Sequence, residues 1–222
     1  MWRDALLMAG KDLRIEARSR VAANQVAPFA LIVLVLFGFA LEPDRGFLTQ
    51  AAPGLFWVAV LFCSLLAVQR SFAVEAADSA RDGLRLSGMD PAGIFLGKAG
   101  AVALELVGLE VLLAIGIVVL YGTNLQGAAL LLAAAATATI GLAVCGTVYG
   151  ALAAGLRVRE TLLPLLTLPV VAPVLLGATR AWEVALGQSA DDGWRWVILL
   201  AVFAVIYLAL GVLAFGALLE EA

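Results

Sequence analysis

The sequence contains no histidine. Histidine-dependent acid–base catalysis and histidine-ligated zinc or haem are therefore excluded within this chain by composition alone. Cysteine is nearly absent as well. Cys63 and Cys145 each sit inside an apolar run, so neither a disulfide framework nor a CxxC redox pair is available. Charged residues make up 14 % of the chain, against about a quarter in ordinary soluble domains. The 14 basic and 17 acidic side chains sum to −3, without the basic footprint of a nucleic-acid binder. Neither lysine begins a Lys-Ser or Lys-Thr pair, because Lys11 precedes Asp12 and Lys98 precedes Ala99. A Walker A loop is thus missing, and any ATP that drives this protein binds to another chain.

What fills the 222 residues is apolar: 64 % of them belong to the hydrophobic set, and the mean hydropathy is +1.04. A soluble fold of this length cannot hide so much apolar surface, so the solvent for most of the chain is lipid. Six apolar stretches, at about 24–41, 53–74, 99–121, 127–155, 161–180 and 195–219, approach or exceed the ~20 residues that cross a bilayer as helix. The fifth carries Pro164, Pro169 and Pro173, which predicts a broken or kinked span. Ahead of the first stretch, residues 2–22 place Trp2, Leu6, Ala9, Leu13 and Ala17 at helical spacing among Lys11, Arg14, Arg18 and Arg20. That pattern predicts an amphipathic helix lying in the interface. The expected fold is a single all-α transmembrane domain, residues 1–222, with six spans and one interfacial helix.

Basic residues give the orientation. With the amino terminus in the cytoplasm, Arg3, Lys11, Arg14, Arg18, Arg20, Arg70, Arg81, Arg85, Lys98, Arg157 and Arg159 fall inside, leaving Arg45, Arg180 and Arg195 outside. Both termini are then cytoplasmic. Trp57, Trp182, Trp194 and Trp196 fall near the outer ends of spans, where amphipathic rings prefer to sit.

Three groups of residues invite a function. The polar loop 75–98 presents Asp78, Arg81, Asp82, Gly83, Leu84, Arg85, Asp90 and Pro91 on the cytoplasmic face. A short mixed-charge helix over 78–86 and a turn at 88–91 suit docking on a partner, and equally a solvated connector. Glu105 and Glu110 lie within the third span, where an ionised carboxylate costs at least ~2.5–3.5 kcal/mol. At ~100° per residue they stand about 140° apart, so they cannot form a paired acid–base dyad on one face. One is expected to face a cavity and the other a neighbouring helix. In the fourth span, Gly146, Gly150 and Ala154 follow small-xxx-small spacing, which predicts close packing on another helix. The other side chains of ligand type are Met89, Tyr121, Tyr149 and the two cysteines. They form no metal constellation, and no metal site is expected.

Several segments together resemble a known family. They are Glu42-Pro43, Ala52-Pro53-Gly54-Leu55-Phe56-Trp57-Val58-Ala59, Gln69-Arg70-Ser71-Phe72, Asp82-Gly83-Leu84-Arg85-Leu86 and Ile94-Phe95-Leu96-Gly97-Lys98-Ala99. Leu162-Leu163-Pro164-Leu165-Leu166, with Pro169 and Pro173, completes the set. In this order they resemble the CcmB family, the membrane subunit of the cytochrome c maturation ABC transporter. The resemblance implies an ABC-2-like permease of the bacterial inner membrane with no catalytic residue of its own. It also implies a CcmA-like ATPase, CcmC-like and CcmD-like membrane partners and a second copy of the chain. Haem would be handled by the complex rather than bound as a cofactor here. The loop would contain a coupling helix seated on the ATPase, and Glu110 would outrank Glu105, since members carry a glutamate nearby. Many members have a His-Trp pair where this chain has Val102-Ala103, and a longer loop with more prolines. Two other readings remain open: an ABC-2 permease for another lipid, glycan or drug, and a proton-coupled secondary transporter using Glu105 or Glu110.

Overall fold

The computed structural model describes residues 1–40, 45–77, 88–123, 125–154 and 159–221. They form α1 (Trp2–Ser19), a π-helical stretch (Ala22–Val26), α2 (Ala27–Ala40), α3 (Arg45–Ala77) and α4 (Pro91–Tyr121). The chain continues through α5 (Ala128–Ala154), α6 (Arg159–Ala185) and α7 (Gly193–Glu221). No strand occurs among the described residues. Six segments are long and apolar enough to cross a membrane, the first being the π-helical stretch joined to α2. The protein is thus an all-α, multi-pass membrane protein with a seventh helix at its amino terminus, consistent with an ABC-2-like domain.

The helices α3 and α5 are the most buried spans, and α2 and α7 the least. Phe29, Ile32 and Leu36 on α2, with Ile198, Val202 and Val205 on α7, leave apolar surface outside. In lipid that surface needs no further cover. Close approach inside the bundle depends on small residues. A Cβ on Gly146 would stand 2.7 Å from Val68 Cγ2, and one on Gly150 would overlap the Phe72 ring. The small-residue stripe of α5 therefore meets α3 of the same chain at Gly146 and Gly150, while Ala154, one turn further, lines a cavity.

Three local features differ from the sequence-based expectation. First, α4 starts at Pro91, so residues 91–98 are its opening turns rather than loop. Asp90 caps the helix by accepting the Ala92 N–H at 3.0 Å, and Pro91 follows at the first helical position. That start signal outweighs the weak helix propensity of Gly93 and Gly97. Second, of the break or kink expected in α6 the break is absent: the helix runs continuously with Pro164, Pro169 and Pro173 all inside it. Third, Trp57 and Trp182 are only 1 % and 4 % exposed. Instead of anchoring at the lipid interface they meet each other edge-on, with Phe56 stacked on Trp182 at 4.1 Å between ring centroids. Trp194 remains exposed.

Candidate functional site

The side chains that join α1 to the spans follow from its spacing. Met1, Ala5, Met8, Asp12 and Glu16 recur every three or four residues and therefore share one face. Ala5 and Met8 are buried on that face, whereas Trp2, Leu6 and Leu7 point away and are exposed. The apolar stripe read from the sequence thus turns outward, and a second stripe ending in two acids turns inward. Its seat is the start of α4. A Cβ on Gly97 would stand 2.6 Å from the Ala5 carbonyl oxygen, and one on Gly93 would stand 2.7 Å from that of Met1. Glycine at both positions lets the two backbones touch.

Beyond this contact the acids of α1 meet two cations. Lys98, only 1 % exposed, places Nζ 3.4 Å from Asp12 Oδ2. It also donates to Ser71 Oγ at 3.1 Å and to the Ser71 carbonyl at 3.3 Å, and sits 4.6 Å from the centre of the Phe72 ring. Ser71 Oγ in turn donates to Asp12 at 3.4 Å. One turn along α1, Glu16 Oε2 stands 3.3 Å from Arg70 Nε, and Glu16 Oε1 accepts the Ala22 N–H at 2.7 Å where the π-helical stretch begins. Arg70 also donates to Ser19 Oγ. At the far end of α1, Asp4 accepts the Asp90 N–H at 3.3 Å. That bond, then the Met1 amine, holds the Asp4 carboxyl below its ordinary range. One helix is therefore fastened both to the end of α3 and to the start of α4, the two stems that flank residues 78–87.

The sequence-derived candidates fall into three sets. Asp78, Arg81, Asp82, Gly83, Leu84 and Arg85 lie outside the described residues. Asp90 and Pro91 form the cap of α4 and touch the α1 seat. Glu105 and Glu110 separate: Glu105 borders a cavity of about 730 Å³ together with Gln25, Phe29, Arg70 and Leu163, while Glu110 turns to α5. Glu105 Oε1 and Arg70 Nη1 are buried without a hydrogen-bond partner, a condition that costs about 1–3 kcal/mol for each such group. Thr139 Oγ1 on α5 stands 2.5 Å from Glu110 Oε1 and 2.7 Å from the Ala135 carbonyl oxygen. Because a hydroxyl has a single hydrogen, one of the two contacts must be completed from the other side.

Of the ligand-type side chains, Tyr121 is engaged by the fold and the cysteines are enclosed by it. The Tyr121 hydroxyl donates to the Leu34 carbonyl at 2.7 Å, and Cys63 and Cys145 are buried free thiols. Among the described residues no three His, Cys, Asp or Glu cluster as a metal site would need. Asp12, Glu16, Ser71 and Lys98 were not singled out by the sequence reading as site residues. Their signal was present: two acids four apart on the stripe shared with Met1, Ala5 and Met8, and the Gly93-x-x-x-Gly97 spacing directly before Lys98.

Comparison with known proteins agrees with this architecture along the whole chain. The family model described as CcmB protein matches residues 3–222. Heme exporter protein B of Paracoccus denitrificans is 32 % identical over 212 residues, covering 95 % of both chains. The protein of the same name from Haemophilus influenzae is 32 % identical over 192 residues, 85 % of each chain. That of Escherichia coli K12 is 31 % identical over 184 residues, covering 82 % of this chain and 83 % of the relative. Six spans, the amino-terminal helix and a match from Arg3 to the last residue lead to one conclusion: the chain belongs to the CcmB protein family.

Proposed function

We propose that this chain is the membrane subunit of a haem-export complex for cytochrome c maturation, and that it converts ATP hydrolysis in a separate subunit into movement of its spans. The support for the haem-related role is the likeness to proteins named Heme exporter protein B over most of their length. The observation that carries the coupling role is the fastening of both stems of the 78–87 segment to α1. A push on that segment from a docked ATPase then moves the ends of α3 and α4 together with α1, because partly buried ion pairs and glycine contacts resist sliding between them. The membrane domain in turn shifts between arrangements of different affinity for its partner or cargo. In this reading the α1 end faces the cytoplasm of a bacterial inner membrane. The chain performs no covalent chemistry and holds no cofactor of its own, and haem is cargo of the whole complex, which includes CcmA-like, CcmC-like and CcmD-like proteins.

The decisive experiment is affinity purification from native membranes in mild detergent, with mass spectrometry of what stays bound. An ABC ATPase together with CcmC-like and CcmD-like proteins is expected. Reversing the charges of Asp82 and Arg85 together should reduce ATPase recovery at least fivefold while insertion stays normal. Full recovery from that variant removes the coupling role from the loop, and an intact wild-type preparation without any ATPase overturns the transporter reading.

A further inference from the structure

We propose that the cavity beside Glu105 binds one glycerophospholipid whose headgroup carries a primary amine, taken up sideways from the bilayer. This goes beyond the coupling role and does not rest on it. The cavity measures about 730 Å³, within the range of roughly 300–1,000 Å³ typical of small-molecule sites. Its wall is mostly apolar, from Val26, Phe29, Leu66, Phe72 and Leu163. Phe29 and Leu66 are also exposed on the outer surface of the bundle, 45 % and 38 % respectively. Apolar lining thus continues to accessible side chains of two spans, a path that a hydrocarbon tail can follow.

The polar corner sets the headgroup. Arg70 and Glu105 both line the cavity, and each carries an atom without a hydrogen-bond partner, Nη1 and Oε1. Both atoms are buried in residues that line the cavity, so each is a polar group that a headgroup could satisfy. A guanidinium suits a phosphate, and a carboxylate suits an ammonium group that has hydrogens to donate. The two opposite charges on one rim match a headgroup in which an amine follows a phosphate. A purely anionic headgroup would set like charge against Glu105, and a quaternary amine has no N–H for it.

The test uses the full chain with whatever subunits co-purify, stripped by detergent exchange and then offered phosphatidylethanolamine, phosphatidylglycerol or phosphatidylcholine. Native mass spectrometry should show one phosphatidylethanolamine retained per chain, at least tenfold over the other two. Glu105→Gln should keep lipid binding but cut the preference over phosphatidylglycerol below threefold. Arg70→Gln should weaken all three lipids. Because Arg70 also pairs with Glu16, Ala154→Phe provides an independent check, filling the cavity without touching the ion pairs, and should abolish retention. Equal retention of the three headgroups, undiminished retention by Ala154→Phe, or displacement of the lipid by equimolar haem would each overturn the assignment.

Discussion

At the scale of single residues, the most consequential side chain is Lys98. It is almost wholly buried, and its charge is met by Asp12 and by two oxygens of Ser71. Removing one member of such a pair leaves the other uncompensated, at about 3–5 kcal/mol. Lys98→Met and Asp12→Asn should each lower stability by about 3 kcal/mol, and the double variant should recover more than half of the summed loss. Thermal unfolding of the four proteins in one detergent reads this cycle, and simple additivity would show that the two groups do not act as a pair. Glu110 makes a different prediction. Its contact with Thr139 survives in Glu110→Gln, since the amide offers both donor and acceptor. That variant should fold normally yet impair the coupled step, and unchanged cytochrome c maturation would leave Glu110 a packing role alone. Asp4 carries a sign that pH can test. Its folded value lies below the ordinary 3.8, so its contribution is complete above that pH and fades as pH falls through the folded value. Asp4→Asn should therefore shift unfolding slightly at pH 7 and less as the pH falls below the ordinary carboxylate range, and a shift independent of pH would mean that charge is irrelevant there.

At the scale of elements, α1 and the start of α4 act as one packed pair because Gly93 and Gly97 bring their backbones together. Gly97→Val should push α1 off its seat, costing about 1–3 kcal/mol by overpacking. Limited proteolysis should then cut α1 at least tenfold faster; an unchanged rate would mean that the pair accommodates the added side chain. The two stripes of α1 show what a sequence discloses and what it hides. Trp2, Leu6 and Leu13 announce an interfacial helix through periodicity alone. The inward stripe through Asp12 and Glu16 looks polar, so hydropathy assigns it to water, and only the cations of α3 and α4 reveal it as an internal face. The start of α4 was legible in Asp90-Pro91 but was masked by the glycines that follow. The prolines of α6 do not interrupt it, since neighbouring helices can re-satisfy the backbone groups that a proline frees. Trp57 and Trp182 misled: tryptophan near a span end is common at the interface, but stacking on Phe56 offers a drier alternative.

At the scale of the whole molecule, composition alone established a multi-pass helical protein, because nothing but lipid can receive so much apolar surface. The count of spans followed from run lengths. The candidate site was less legible, since it joins residues from four elements: Asp12 and Glu16 on α1, Gln25 on the π-helical stretch, Arg70 and Ser71 on α3, and Lys98 and Glu105 on α4. No local window contains that set. Its two polar regions differ, one joining α1 to the ends of α3 and α4 and the other lining the cavity beside Glu105, and Arg70 belongs to both.

The seat of α1 also imposes an order on biogenesis. Asp12 finds Lys98 86 positions later in the chain, and Asp4 meets the Asp90 N–H at the same separation. When α1 leaves the ribosome, neither anchor has yet been synthesised, and two spans must be threaded into the bilayer before they emerge. Until α3 emerges, α1 has only the lipid surface to hold it; Arg70 and Ser71 then give Glu16 and Asp12 a first hold, while the glycine seat is still missing. It locks into place when the third span is delivered, so arrival of α4 is the event that converts a surface-bound leader into a structural brace.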